Sequence, residues 1–175
     1  MAVSLELIKE LREMTSASIA HCKKALEESG GDIKKAAQIL RKLGLEIAAK
    51  KQGKVSGEGR IEAYVHHGNK IGVLLEVNCE SDFVARNNDF MQFTKDISMQ
   101  IAASDPAYIR REDVPKEVIE QEKDKEEFIK QNCLLEQVFV KDPTITIKDY
   151  LGSLIAKIGE NVVIRRFTRY KVGEQ

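Results

Sequence analysis

The sequence carries no net charge, its 28 Lys and Arg balanced by 28 Asp and Glu. That balance excludes bulk electrostatic adhesion to nucleic acid or to a membrane surface, which needs a basic excess. Any partner surface must be specific and local. Cysteine is scarce and odd in number. Cys22, Cys79 and Cys133 are scattered along the chain, as reduced thiols in a cytosol are, and they do not form a disulfide framework. No stretch approaches the roughly 20 apolar residues of a membrane helix. Met1-Ala2-Val3-Ser4 lacks the basic region and apolar run of a signal peptide, so a cytoplasmic location is expected. What the chain does have is 42% hydrophobic residues over 175 positions. That is enough for a folded core, in one ordinary domain or two small ones.

The first third reads as helices. Leu7 or Ile8, Leu11 and Met14 recur near helical spacing over residues 4–14, with Ser4 as N-cap. Ser18 caps a second helix with Ile19, Cys22 and Leu26 on its apolar face, and Gly30-Gly31 ends it. Asp32 caps a third, with Ile33, Ala36, Ala37, Leu40 and Leu43 on one face and Gly44 in the place of a C-terminal glycine. The spacing predicts a three-helix bundle over 1–51. Gly53, Gly57 and Gly59 among polar neighbours predict a flexible linker over 52–59.

An α+β core is predicted over 60–175. Ile61, Ala63 and Val65 alternate with polar residues, as on a half-buried strand. After a turn at His67–Lys70, a second strand puts Ile71, Val73, Leu75, Val77 and Cys79 on one face. Helical spacing returns with Phe90, Phe93, Ile97 and Ile101, capped by Asn87 or Asn88 and stopped at Asp105-Pro106. Pro115 suits the first turn of another helix, and the charge of residues 116–127 leaves that helix exposed. Thr146 and Asp149 form a capping box before Ile147, Leu151, Leu154, Ile155 and Ile158. Val162–Val172 reads as a third strand, whose alternation is blurred by Arg165-Arg166 and Arg169. The fold class is thus α+β: a bundle, a linker, and a three-stranded antiparallel sheet packed with helices.

The groups that could carry chemistry mostly read as structure. His66-His67 would point to opposite faces of a strand and make a poor chelate. His21 and Cys22 are helix neighbours that do not face each other, and Cys22 and Cys79 sit on core faces. Ser56-Gly57-Glu58-Gly59-Arg60 lacks the Gly-Lys-Ser/Thr of a phosphate loop and precedes a strand. No catalytic group, metal site or cofactor is expected, so the chain does not read as an enzyme. One segment differs. Glu80-Ser81-Asp82-Phe83-Val84-Ala85-Arg86-Asn87 follows a buried strand at once. Ser81 or Asp82 can cap a one-turn helix there. Phe83 then either tucks into the core or stands out as an aromatic wedge backed by a carboxylate.

Three stretches together resemble bacterial elongation factor Ts. They are Leu7–Thr15 with Cys22-Lys23-Lys24-Ala25-Leu26 and Gly31-Asp32, then Glu76–Asn87, then Ala156–Val162 with Arg165-Arg166. They occur in family order and span nearly the whole chain. The resemblance implies a ubiquitin-associated-like bundle joined to a core, and a GTPase partner, elongation factor Tu, in its GDP-bound and nucleotide-free forms. It implies that Ser81, Asp82, Phe83 and Val84 enter that GTPase beside its Mg²⁺ site, with Phe83 wedging between two helices so that GDP leaves. It implies that the bundle grips the GTPase through Leu11, Ile19, Ala20 and Lys24, with Lys51 contributing from its end. Short relatives carry one core sheet and pair as homodimers, so a homodimer in a 2:2 complex is expected. The chain departs from the family at His21, Ser81 and Val138, and by the absence of a helical segment before Cys133. Two other classes stand against this reading. One is an adaptor that binds through the bundle without affecting exchange, and the other is a thiol enzyme built on Cys22 or Cys79.

Overall fold

The computed structural model describes residues 3–174. Their contacts divide the chain into two compact units. One comprises residues up to Lys54 together with Leu151–Asn161, and the other Val55–Tyr150 with Val162 onward. The first unit therefore takes in residues 151–161, beyond the stretch where the bundle was expected.

In the first unit, α1 (Leu5–Thr15), α2 (Ile19–Glu28) and α3 (Ile33–Lys51) are each opened by a side-chain cap. Ser4 Oγ accepts from Leu7 N–H at 3.2 Å, Ser18 Oγ from His21 N–H at 3.2 Å, and Asp32 Oδ1 from Lys35 N–H at 3.0 Å. Each such cap contributes about 1 kcal/mol. Ile8, Leu11, Cys22, Ala25, Leu26, Ala36, Ala37 and Leu40 form the core, with Leu7, Ile33 and Leu43 packed against it. Gly44 does not end α3. It lies buried inside the helix, where an added Cβ would meet the carbonyl carbon and oxygen of Gly152, both at 3.3 Å. Residue 44 is glycine because a second helix backbone approaches there. That helix is α8 (Ile147–Ile158), whose Leu154 and Ile155 are buried.

The second unit is built on β1 (Glu58–Val65), β2 (Ile71–Cys79) and β5 (Val162–Lys171), in the order β1-β2-β5, all antiparallel. β1 begins at Glu58, inside the stretch expected to be linker. One face of the sheet is covered by α5 (Asn88–Ser104), whose Phe90, Phe93, Ile97 and Ile101 meet the level of Val73, Leu75, Val77 and Cys79. Asn87 caps this helix, accepting from Asp89 N–H at 2.8 Å.

β1 lies the other way up from the reading of its sequence. Ile61 and Val65 are 65% and 63% exposed, and Ala63 is exposed with them. Glu62 and Tyr64 pair with Leu75 and Val73 and share their inward face. The inversion is stable because Glu62 is partnered. Its Oε2 takes Arg60 Nη2 at 3.0 Å and the hydroxyl of buried Thr94 on α5 at 3.0 Å. β5 contains a bulge. Glu76 pairs with Arg166 but Val77 with Ile164, which leaves Arg165 as the extra residue. Val162 and Ile164 face inward before it and half-buried Phe167 and Arg169 after it, so the alternation breaks at Arg165-Arg166.

The charged stretch forms two helices, α6 (Lys116–Gln121) and α7 (Lys125–Asn132), separated because Asp124 caps the second by accepting from Glu127 N–H at 3.0 Å. A hairpin of β3 (Val138–Phe139) and β4 (Asp142–Thr146) follows. Gln100 holds it to α5, donating to Val138 O at 3.1 Å and accepting from Val140 N–H at 2.9 Å. Buried Asp96 adds Lys141 Nζ at 2.6 Å and the Tyr150 hydroxyl at 3.0 Å. The predicted Thr146–Asp149 capping box forms reciprocally, at 3.0 and 3.1 Å.

Candidate functional site

Every inward side chain of β2 from Val73 to Cys79 is buried, so the strand is fixed along its length. The chain bends at Glu80 and enters α4 (Asp82–Ala85), a single turn. Ser81 is the cap, its hydroxyl accepting from Val84 N–H at 3.4 Å. The buried Cys79 thiol donates to Ser81 O at 3.1 Å and ties the turn to the strand end. Asp82 pairs with Arg86 Nη2 at 3.2 Å on the exposed side. Phe83 is 83% exposed, and of the two readings of this residue the protruding one holds. Val84 and Ser81 are half-buried at its base. An exposed phenyl ring on a fixed strand end is a ready docking group. Burying it in a partner would release about 1.5–3 kcal/mol.

A second exposed surface lies on the bundle. Ile19, first residue of α2, is 59% exposed, and Ala20 and Lys24 are exposed beside it. Lys24 Nζ lies 3.8 Å from Glu28 on the same helix, an exposed pair of little energetic weight. Leu11 does not belong to this surface. It is fully enclosed, because its position on α1 places it at the centre of the bundle core. Met14 makes the opposite move. Read as a core residue, it is 61% exposed on the last turn of α1 and adds apolar area to the bundle's outside. Taken from buried Ile8, the i, i+3, i+7 stripe runs through Leu11 to half-buried Thr15 and leaves Met14 beside it. Lys51 is half-buried at the end of α3.

The remaining candidates for chemistry are enclosed or structural. Cys22, Cys79 and Cys133 are all buried and unbridged. Burial pushes the Cys22 thiol up, against smaller lowering from Thr15 and Arg12. Burial, then the Glu136 charge, pushes up Cys133. A buried thiol with raised pKa is a poor nucleophile. His66 Nδ1 lies 3.0 Å from the Tyr64 hydroxyl, and its ring sits 4.9 Å from that of His67. Among the described residues no group of three His, Cys, Asp or Glu side chains is placed to hold a metal ion. Among them, too, no helix is long and apolar enough to cross a membrane.

A third exposed apolar region is the outer face of the sheet. Ile61, Ala63 and Val65 on β1 lie beside Leu74, 52% exposed at the centre, and Tyr170 on β5, 70% exposed. Glu76 and Arg166 form an ion pair at 2.6 Å on the same face, and that bond to Arg166 chiefly holds the Glu76 carboxyl below its ordinary range.

The sequence model of the family described as Elongation factor TS matches residues 2–127 and 125–174. The chain is 50% identical to elongation factor Ts of Carboxydothermus hydrogenoformans over 195 aligned positions, covering 98% of this chain and 90% of that protein. It is 51% identical to that of Thermotoga neapolitana over 196 positions, covering both chains in full. It is 50% identical to that of Caldanaerobacter subterraneus subsp. tengcongensis over 195 positions, covering 98% of each. These alignments are longer than the 175-residue chain, and the two family matches meet at residues 125–127. The relatives thus carry residues this chain lacks, and the junction lies in the stretch before Cys133 where a segment was read as missing. With matches over nearly its whole length, the chain belongs to the elongation factor Ts family.

Proposed function

We propose that this chain is a guanine-nucleotide exchange factor for elongation factor Tu, acting in the cytoplasm during translation elongation and catalysing no chemical reaction. Ser81-Asp82-Phe83-Val84 is the inserting motif, and Phe83 wedges beside the GTPase's Mg²⁺ site. The observation that carries this reading is Phe83 itself, 83% exposed on a capped single turn at the end of a buried strand.

Magnitudes require a second surface. A GDP held at nanomolar affinity is bound by about 12 kcal/mol, and one buried Phe returns only about 1.5–3. The wedge must therefore act through lost Mg²⁺ and phosphate contacts while another surface holds the partner. Ile19, Ala20 and Lys24 on the bundle serve that role, with Lys51 at its end. Linkage makes the effect reciprocal: whatever this chain takes from GDP binding, GDP takes from its own binding. We assign the bundle over residues 1–51 to gripping and the three-stranded sheet with α4 and α5 to inserting, the connection between them ending where β1 begins at Glu58.

The core also serves as the seat of a homodimer, giving a 2:2 complex with the GTPase. The outer sheet face supports this. It presents Ile61, Val65, Leu74 and Tyr170 together on three paired strands, and contiguous exposed apolar surface marks an association site.

The experiment is stopped-flow release of a fluorescent GDP from elongation factor Tu. Phe83→Ala should slow release by about tenfold or more, as loss of ~1.5–3 kcal/mol of transition-state contact dictates. A folded Phe83→Ala that releases GDP as fast as the parent refutes the wedge. A parent that binds without accelerating release makes the protein an adaptor.

A further inference from the structure

Phe83 poses a mechanical problem. With its ring in solvent, no packing fixes its aim, so its direction is set by the backbone beneath it. That backbone rests on the start of β1. Gly59 pairs with Asn78 and Glu58 with Cys79, the last two residues of β2 before the bend into α4. Gly59 adopts φ +149°, in the region that favours glycine. A Cβ there would stand 2.8 Å from Asn78 Cα and 3.1 Å from Val77 C, and closer still to the Val77 carbonyl oxygen. These are backbone atoms of a buried strand and cannot yield as a side-chain tip would. The Asn78 amide then fastens the same crossing by donating to Glu58 O at 3.2 Å, and Cys79 holds Ser81 O from the other side.

We propose that Gly59 and Asn78 are positioning residues for nucleotide exchange: they let β1 close onto the end of β2 and so set the direction in which Phe83 is presented. The proposal rests on the wedge reading and deepens it. On this reading neither residue has to touch the partner. They act through Phe83, and a displacement of the order of 1 Å in an aimed group is enough to lower a rate by about a hundredfold.

The test is GDP release measured across a range of exchange-factor concentrations for Gly59→Ala, Asn78→Ala, Phe83→Ala and the double variant Gly59→Ala/Phe83→Ala. Gly59→Ala should lower the saturating rate at least about tenfold, and Asn78→Ala about threefold, because it removes one tie without inserting an atom. The half-saturating concentration should stay within about threefold, since the bundle surface is untouched. In the Phe83→Ala background, Gly59→Ala should have no further effect, because residues that act through one group are not additive. Parent-like rates in both single variants overturn the proposal, as does full additivity in the double variant or a loss seen only in half-saturation. If Gly59→Ala does not fold, Asn78→Ala decides on the same readings. A parent-like rate for Phe83→Ala is a separate result and sinks the wedge itself.

Discussion

The outer sheet face makes a prediction whose size can be worked from the structure. Leu74 lies on the central strand, between Ala63 on β1 and Thr168 on β5, and is 52% exposed. Complete burial of a leucine side chain is worth about 1.5–3 kcal/mol, so covering the exposed half is worth roughly 0.8–1.5. In a two-fold dimer the same residue is buried once on each copy. The pair then accounts for about 1.5–3 kcal/mol, or roughly a 10- to 150-fold effect on the dimer dissociation constant. Leu74→Lys removes that term and adds two desolvated ammonium groups, so about a hundredfold weakening is the expected floor. The folded monomer should tolerate the change, because residue 74 points away from α5 and its neighbours there are already in solvent. Sedimentation velocity up to about 100 µM protomer reads the outcome. The parent should sediment as a dimer and Leu74→Lys as a folded monomer, whose thermal midpoint no longer rises with protein concentration as the parent's does. A parent that stays monomeric across this range, or a Leu74→Lys that dimerises as tightly, refutes the assignment of this face.

Ile19→Glu should weaken complex formation with the GTPase about tenfold while leaving the bundle folded, since the side chain is mostly in solvent; isothermal titration against nucleotide-free elongation factor Tu measures it, and unchanged affinity removes Ile19 from the surface. Leu11→Ala should act on stability instead, lowering it by about 2–5 kcal/mol through an unfilled core site, read by urea denaturation of the full chain; weakened binding with unchanged stability would contradict its burial. Asp96→Ala should destabilise the core by about 2–3 kcal/mol, because Lys141 and the Tyr150 hydroxyl lose a charged acceptor; an unaltered unfolding midpoint would show that this cluster holds nothing. The thiols should resist alkylation until the chain unfolds. Because burial raises the Cys22 and Cys133 pKa in the folded state, unfolding is favoured only as pH rises past the ordinary thiol range, and their protonation gives no pH dependence below it. Mass spectrometry after iodoacetamide treatment at neutral pH, with and without urea, checks this; rapid native labelling would contradict it.

Much of the fold was legible because it is local. Ser4, Ser18, Asp32, Asn87 and the Thr146–Asp149 pair act on backbone groups two or three residues away, so the sequence window that names them also contains their partners. The errors have longer causes. Gly44 resembles a helix terminator, but the reason for it is Gly152, more than a hundred positions on. The faces of β1 are decided by Glu62 finding Thr94 on α5 and Arg60 alongside, a tertiary satisfaction that alternation cannot express. The faces of β5 are interrupted by an extra residue at Arg165 whose only trace in sequence is a lost period. β3 has two residues and is held by Gln100 on a helix far upstream, too short a run to announce a strand.

The failures of periodicity are not spread evenly. Ile19 was assigned to the inside of α2, Met14 to the inside of α1, and Ile61 and Val65 to the core side of β1; all four are more than half exposed. A free chain gains nothing from holding such side chains in water, and each leaves about 1–2 kcal/mol of unused burial. Polar residues took the inward places on β1, with their charges matched, so the inversion is a stable alternative arrangement and not a defect of packing. Where binary patterning and tertiary structure disagree in this way, a functional surface is the expected reason. By that criterion exposed Met14 and Ile19 on the bundle, and the outer sheet face, are candidate association surfaces for the proposed function. Phe83 is a third, which the pattern alone left undecided. Under the proposed function these three surfaces would match the tasks of gripping, inserting and pairing with a second copy, whereas a simple adaptor would need only the first.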